Sequence, residues 1–189
     1  MALTFDDCNY AAAWDRILDV LQARNLEATF FCPGQTMGAH PGLVRRTVGK
    51  GHTIGSHGWD HAYLPGHSVS YTASRLNKDA ATAWRLSKTT TWPYFRPSYG
   101  AHDRNVRRAA RAASHPRVVL WDVDPRDWER PGVSVIKNRV LRRIRRGSIV
   151  VLHVIDQTAT ALPGILNGLR ARGLHQVDLP DLFQAAGFR

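Results

Sequence analysis

Cysteine is scarce in this chain. Two cysteines in 189 residues make no disulfide framework, so the fold must rest on a hydrophobic core. Cys8 and Cys32 each follow a strand-like run, which would let them lie close in space. No apolar run approaches the roughly 18 residues of a membrane helix, and no membrane span is expected. No Gly/Ser linker, low-complexity tract or repeat interrupts the chain, so residues 1–189 read as a single domain. The N-terminus lacks a basic stretch followed by a long apolar one. That leaves a cytoplasmic protein, or a mature domain already trimmed of its leader, with Met1 an added start. Acidic residues are also few: 15 against 26 lysines and arginines, a net charge of +11. The arginines gather in "RNVRRAARAASHPR" and "NRVLRRIRRG". With no recognisable nucleic-acid module beside them, they read either as solvated outer helix faces or as an attraction to an anionic cell wall or acidic glycan.

What is present is a regular alternation. Short apolar runs, "ALTF", "ATFFC", "TIGSH", "YFRPS", "RVVLWDVD", "SIVVLHV" and "HQVDL", alternate with helical stretches such as "AAAWDRILDVLQARN" and "SRLNKDAATAWRLSKT". About seven strand–helix units predict an α/β fold with a parallel sheet. Polar residues sit at the C-terminal ends of five of these runs: Asp6 and Asp7, His57, Arg96 and Ser98, Asp122 and Asp124, and His153. Groups at strand ends converge best on the mouth of a barrel. The expected fold is therefore a distorted, incomplete (β/α) barrel with its site at those ends.

The chemistry follows from the residue types. In "GSHGWDH", His57 and His61 are four apart, which on a helix would place both imidazoles on one face. Two imidazoles and a carboxylate make a three-ligand site with open positions, as catalytic zinc requires. Asp6 or Asp7 would complete it, with Asp60 as a competitor. "FRPSYG" can aim a backbone N–H into the cavity as an oxyanion donor. "WDVDPRDWE" carries more aspartates than a turn and a cap need, and Asp127 is placed by strand order to orient His153 in "VVLHV". Trp59, Trp92, Tyr94, Tyr99 and Trp128 are candidate sugar-stacking aromatics.

Taken together, "TFDD", "SHGWDH", "FRPSYG", "DPRDW" and "VVLHV" occur in the order of five motifs that this sequence shares in resemblance with the polysaccharide deacetylase family, the NodB-homology group or carbohydrate esterase family 4. The resemblance implies metal-dependent hydrolysis of an acetyl group from a sugar amide, or sometimes an ester as in acetylxylan. It implies Asp7, His57 and His61 as metal ligands, with zinc the default ion and cobalt or iron fitting the same set. Asp6 resembles the general base, with Arg96 keeping it ionised. His153 resembles the general acid, supported by Asp127. The Tyr99 N–H would serve the oxyanion, and Trp128 and Leu152 would line the acetyl pocket. The implied partner is an N-acetylated glycan or amino sugar, acted on by a monomer that is secreted or held at the cell wall. A catalytically silent glycan-binding module is the remaining alternative. The sequence departs from the family pattern at Cys8-Asn9, where Gly-Pro is usual, at Ser98, where a second Pro is usual, and at Val154, where Asp is frequent. Cys8, next to a ligand, would touch the metal or be oxidised, and Ser98 would loosen the backbone under Tyr99.

Overall fold

The computed structural model describes residues 1–188. Among them six strands, β1 (Ala2–Asp6), β2 (Thr29–Cys32), β3 (Thr53–Ser56), β4 (Tyr94–Phe95), β5 (Arg117–Val118) and β6 (Ile149–His153), alternate with eight α-helices. The helices are α1 (Ala11–Gln22), α2 (Gly34–Ala39), α3 (Pro41–Gly49), α4 (Val69–Ser87), α5 (Arg104–Ala112), α6 (Val133–Arg143), α7 (Asp156–Ala171) and α8 (Leu179–Ala185). The strand order is β5-β4-β3-β2-β1-β6, and the β1–β6, β3–β4 and β4–β5 pairs are parallel. This is the distorted (β/α) barrel class. The seventh expected strand, "HQVDL", is reduced to one bridge, Ala2↔Val177. Its Asp178 turns away to cap α8, accepting the Asp181 N–H. Backbone contacts divide the chain into two compact units, residues 1–30, 50–53 and 121 onward, and residues 31–49 and 54–120.

In the first unit β1 and β6 pair from Ala2↔Ile149 to Asp6↔His153. Both strands are apolar until near their ends, because both faces are covered. Leu3, Phe5, Val150 and Leu152 are fully buried, each contributing about 2 kcal/mol of hydrophobic stabilisation. The register therefore brings the polar last residues, Asp6 and His153, side by side. Helix α1 buries Ala13, Trp14, Ile17, Leu18 and Leu21, the spacing of one helical face, and Phe5 stacks on Phe30 at 5.1 Å. Helix α7 begins at Asp156, and its first turns bury Thr158 and Ala159, which are not strongly hydrophobic.

In the second unit Ser68 caps α4 by accepting the Tyr71 N–H, and Asp103 caps α5 by accepting the Val106 N–H at 2.8 Å. Leu76 of α4 and Val106 and Ala110 of α5 pack with Phe95 and Leu64 in one cluster. Buried His115, beyond α5, lies with Nε2 2.8 Å from the Thr91 hydroxyl and Nδ1 2.7 Å from the Ala113 carbonyl. Burial pushes its pKa down to about 4.

Candidate active site

Asp6 ends β1, and the chain turns at once. Asp7 and Cys8 adopt left-handed backbone, φ 71° and 58°, and the Cys8 N–H donates back to the Asp6 carbonyl at 2.9 Å. Left-handed backbone costs a non-glycine residue roughly 1–2 kcal/mol. A glycine at position 8, the residue usual in the resembling family, would avoid this cost. Both cysteines are disulfide-bonded and none is free, so the Cys8–Cys32 bond occupies the sulfur and Cys8 is no thiolate ligand.

His57 and His61 do meet, but not on a helix. Residues 57–61 form a loop, with Gly58 at φ 76° and His61 at φ 57°, and their ring centroids stand 5.0 Å apart. His57 is buried, and its Nδ1 lies 2.6 Å from the Arg96 carbonyl. A carbonyl only accepts, so Nδ1 is the donor here and Nε2 is the nitrogen left to face a metal. Asp7, His57 and His61 each offer one atom that could hold a metal ion. The competing carboxylate, Asp60, is instead held by Arg75 in a two-pronged ion pair. The donor set of two nitrogens and one oxygen suits Zn²⁺, Co²⁺ or Fe²⁺.

Arg96 is fully buried. Its Nε and one terminal nitrogen donate to the Val119 and Leu120 carbonyls, both at 3.2 Å, and its guanidinium lies 4.3 Å over the Phe31 ring. After it, Ser98–Gly100 form a short 3-10 turn. Ser98 does not leave this turn loose. The Gly100 N–H reaches the Pro97 carbonyl at 2.9 Å and the Ala101 N–H reaches Ser98 at 3.1 Å. Tyr99 sits inside with φ 62°, and among the described residues no carbonyl or side chain accepts from its N–H.

Both carboxylate oxygens of Asp127 are engaged. One carboxylate oxygen accepts from His153 Nδ1 at 2.8 Å and from the Trp128 N–H at 3.1 Å. The other accepts from the His153 N–H at 2.7 Å and the Thr158 hydroxyl at 2.5 Å. Burial, the largest single influence, disfavours a charged His153. The hydrogen bond and charge of Asp127, with the charges of Asp6 and Asp7, outweigh it and push the pKa up to about 9. The other aspartates of this stretch are structural: Asp122 accepts from the Ser148 hydroxyl and the Ile149 N–H, and Asp124 from the Arg126 N–H.

The aromatic candidates separate by position. Tyr94 is buried. Trp92 precedes β4, at the strand end opposite to Arg96. Trp59 lies against Lys78, whose ammonium is 3.8 Å from its ring. Trp128 is 53% exposed, and Leu152 is buried in β6. Tyr99 is 67% exposed, with its ring 4.7 Å from His61. Beside it stands Tyr63, 60% exposed at 6.4 Å, which sequence reasoning passed over. Its place two residues after His61 was the available signal. Thr158 was missed as well, because a threonine in a helical first turn reads as ordinary. A cavity of about 560 Å³ lined by Glu27, Lys50, His52, Gln176 and Asp178 contains none of these residues.

A family model described as polysaccharide deacetylase matches residues 1–118. The chain is 33% identical over 185 residues to the peptidoglycan-N-acetylglucosamine deacetylase PgdA of Listeria monocytogenes, covering 97% of this chain and 38% of that one. It therefore spans well under half of that relative. It is 34% identical to a chitooligosaccharide deacetylase of Rhizobium leguminosarum bv. trifolii, covering 95% of this chain and 89% of the relative. Among solved structures, BA3943 of Bacillus anthracis, described as a CE4 family pseudoenzyme, superposes with a TM-score of 0.91 at 25% identity, over 96% of this chain and 64% of its own.

Proposed function

Because this chain belongs to the polysaccharide deacetylase family, we propose that it hydrolyses the acetamide of an N-acetylated glycan or amino sugar, releasing acetate and a free amine. The observation that carries the proposal is the Asp6↔His153 register, with His153 held on Asp127. That register leaves the carboxylate we assign as base beside the imidazole we assign as acid, the pair of roles that amide hydrolysis requires. Asp6 accepts the proton of the attacking water. His153, protonated below about pH 9, gives its Nε2 proton to the departing nitrogen, which leaves poorly as an anion. Asp127 steadies the imidazolium. The Tyr99 N–H donates to the developing oxyanion, and Trp128 and Leu152 flank the acetyl methyl. A divalent ion held by Asp7, His57 and His61 would supply a Lewis acid for the carbonyl and a more acidic water. The names of the relatives favour N-acetylglucosamine polymers, and a monomer working at or outside the cell surface fits such a substrate.

One experiment tests this. Acetate release is followed on chitin oligomers, peptidoglycan and acetylxylan, before and after chelation and Zn²⁺ return. Chelation and Asp7→Ala should each lower release from the N-acetylated substrates at least a hundredfold. Undiminished release by metal-stripped Asp7→Ala protein would overturn the proposal, and release from acetylxylan alone would make the enzyme an esterase. The kinship with a pseudoenzyme favours a second reading, a silent glycan-binding domain. Glycan binding without acetate release under any metal would establish it.

A further inference from the structure

The positive charge of this protein is not evenly spread. Residues 31–49 and 54–120 carry twelve lysines and arginines against three carboxylates, a net +9. The other unit carries fourteen against twelve, a net +2. Of the three carboxyl groups of the basic unit, two are engaged by internal donors and one is buried. Asp60 is paired with Arg75, Asp79 is fully buried, and Asp103 accepts from the Val106 and Gly66 N–H groups.

Helix α5 concentrates the excess. Val106, Ala109 and Ala110 face the core, and Arg104, Arg107, Arg108 and Arg111 are exposed. Their spacing of three and four places them along one outer stripe, about 10 Å long. Among the described residues none of the four side chains takes part in an ion pair, hydrogen bond or ring contact. The arrangement works against the helix: cations three and four apart repel, and Arg104 stands in the first turn, where the dipole disfavours positive charge.

We propose that the arginine stripe of α5 is a docking surface for a linear phosphodiester polymer of the cell wall. All four cations are arginines, whose planar forks match phosphate oxygens in pairs. The stripe holds no aromatic side chain on which a nucleobase would stack, so a base-free polymer fits better than nucleic acid. Placing that polymer in the wall rests on the glycan-deacetylase reading above; the charge argument does not.

The test is binding of a defined glycerol-phosphate polymer, and of single-stranded DNA with as many phosphates, at several salt concentrations. The wild type should bind the glycerol-phosphate polymer at low salt, with affinity falling steeply as salt rises. Arg104→Gln/Arg107→Gln/Arg108→Gln/Arg111→Gln should bind at least tenfold more weakly, with a shallower salt dependence. Arg142→Gln/Arg143→Gln/Arg146→Gln, exposed arginines at and beyond the end of α6, should stay within about twofold of wild type. A thermal midpoint in each variant no lower than that of the wild type verifies folding. Equal weakening in both variants, no wild-type binding at low salt, or tighter binding to DNA would each overturn the proposal. Acetate release from a chitin oligomer should be unchanged in the α5 variant. Its absence in every protein, with docking intact, would count against the deacetylase reading alone.

Discussion

The Asp127 carboxylate is saturated by donors: two oxygens, four partners. His153 then has Nε2 as its free nitrogen, and the raised pKa keeps that nitrogen protonated through neutral pH. Asp127→Asn preserves the shape but removes the charge, and the Asn amide faces two backbone donors. The expected result is a fall in kcat/KM of about a hundredfold or more, with the alkaline limb of the pH profile moving to lower pH. A profile unchanged in position would show that His153 does not set that limb. The sign for stability agrees. A histidine raised from 6.5 to about 9 stabilises the fold fully below pH 6.5, and this contribution is lost as pH rises through 9. The Asp127–His153 pairing was legible in the sequence because strand order implied it. Thr158 and Tyr63 were not, since neither belongs to a patterned run.

At the scale of elements, spacing alone misled where backbone departed from regularity. The four-residue interval of His57 and His61 suggested a helix face, whereas a loop with left-handed His61 brings the rings together. Four non-glycine residues at the site loops, Asp7, Cys8, His61 and Tyr99, have positive φ, and no propensity argument anticipates that for residues with side chains. Strand ends, by contrast, were readable, because apolar runs that stop at a polar residue mark them directly. Helix α5 and the turn after it carry a second pH dependence. His115 is buried neutral, with a pKa of about 4 against 6.5 unfolded. The unfolded chain binds more protons between these values, so stability falls as pH drops from 6.5 towards 4, by up to about 3 kcal/mol. Urea midpoints of wild type and His115→Gln should converge as pH falls through that window. Parallel curves would remove His115 from the account.

For the whole molecule, the two cysteines matter more than their number suggested. A chain with so few gave no framework to read, yet Cys8 and Cys32 are bonded. Closing a loop of 24 residues removes conformational freedom from the unfolded chain, an effect of about 3 kcal/mol. Reduction should lower the urea midpoint accordingly, and Cys8→Ser/Cys32→Ser should match the reduced wild type and ignore reductant. A wild type indifferent to reductant would contradict this. The (β/α) class was legible because alternation is a whole-chain property. The loss of the seventh strand was not, because "HQVDL" satisfies strand propensity while its aspartate is claimed by the next helix.

Arg96 carries one last consequence. Its side chain is threaded among the Val119 and Leu120 carbonyls, and its own carbonyl sets the tautomer of His57. Two duties converge on one residue, and the site holds no spare for either. Evolution cannot trade the cation away without disturbing the imidazole's orientation. Even Arg96→Lys, which keeps the charge, would be felt at His57, a ring it never touches through its side chain.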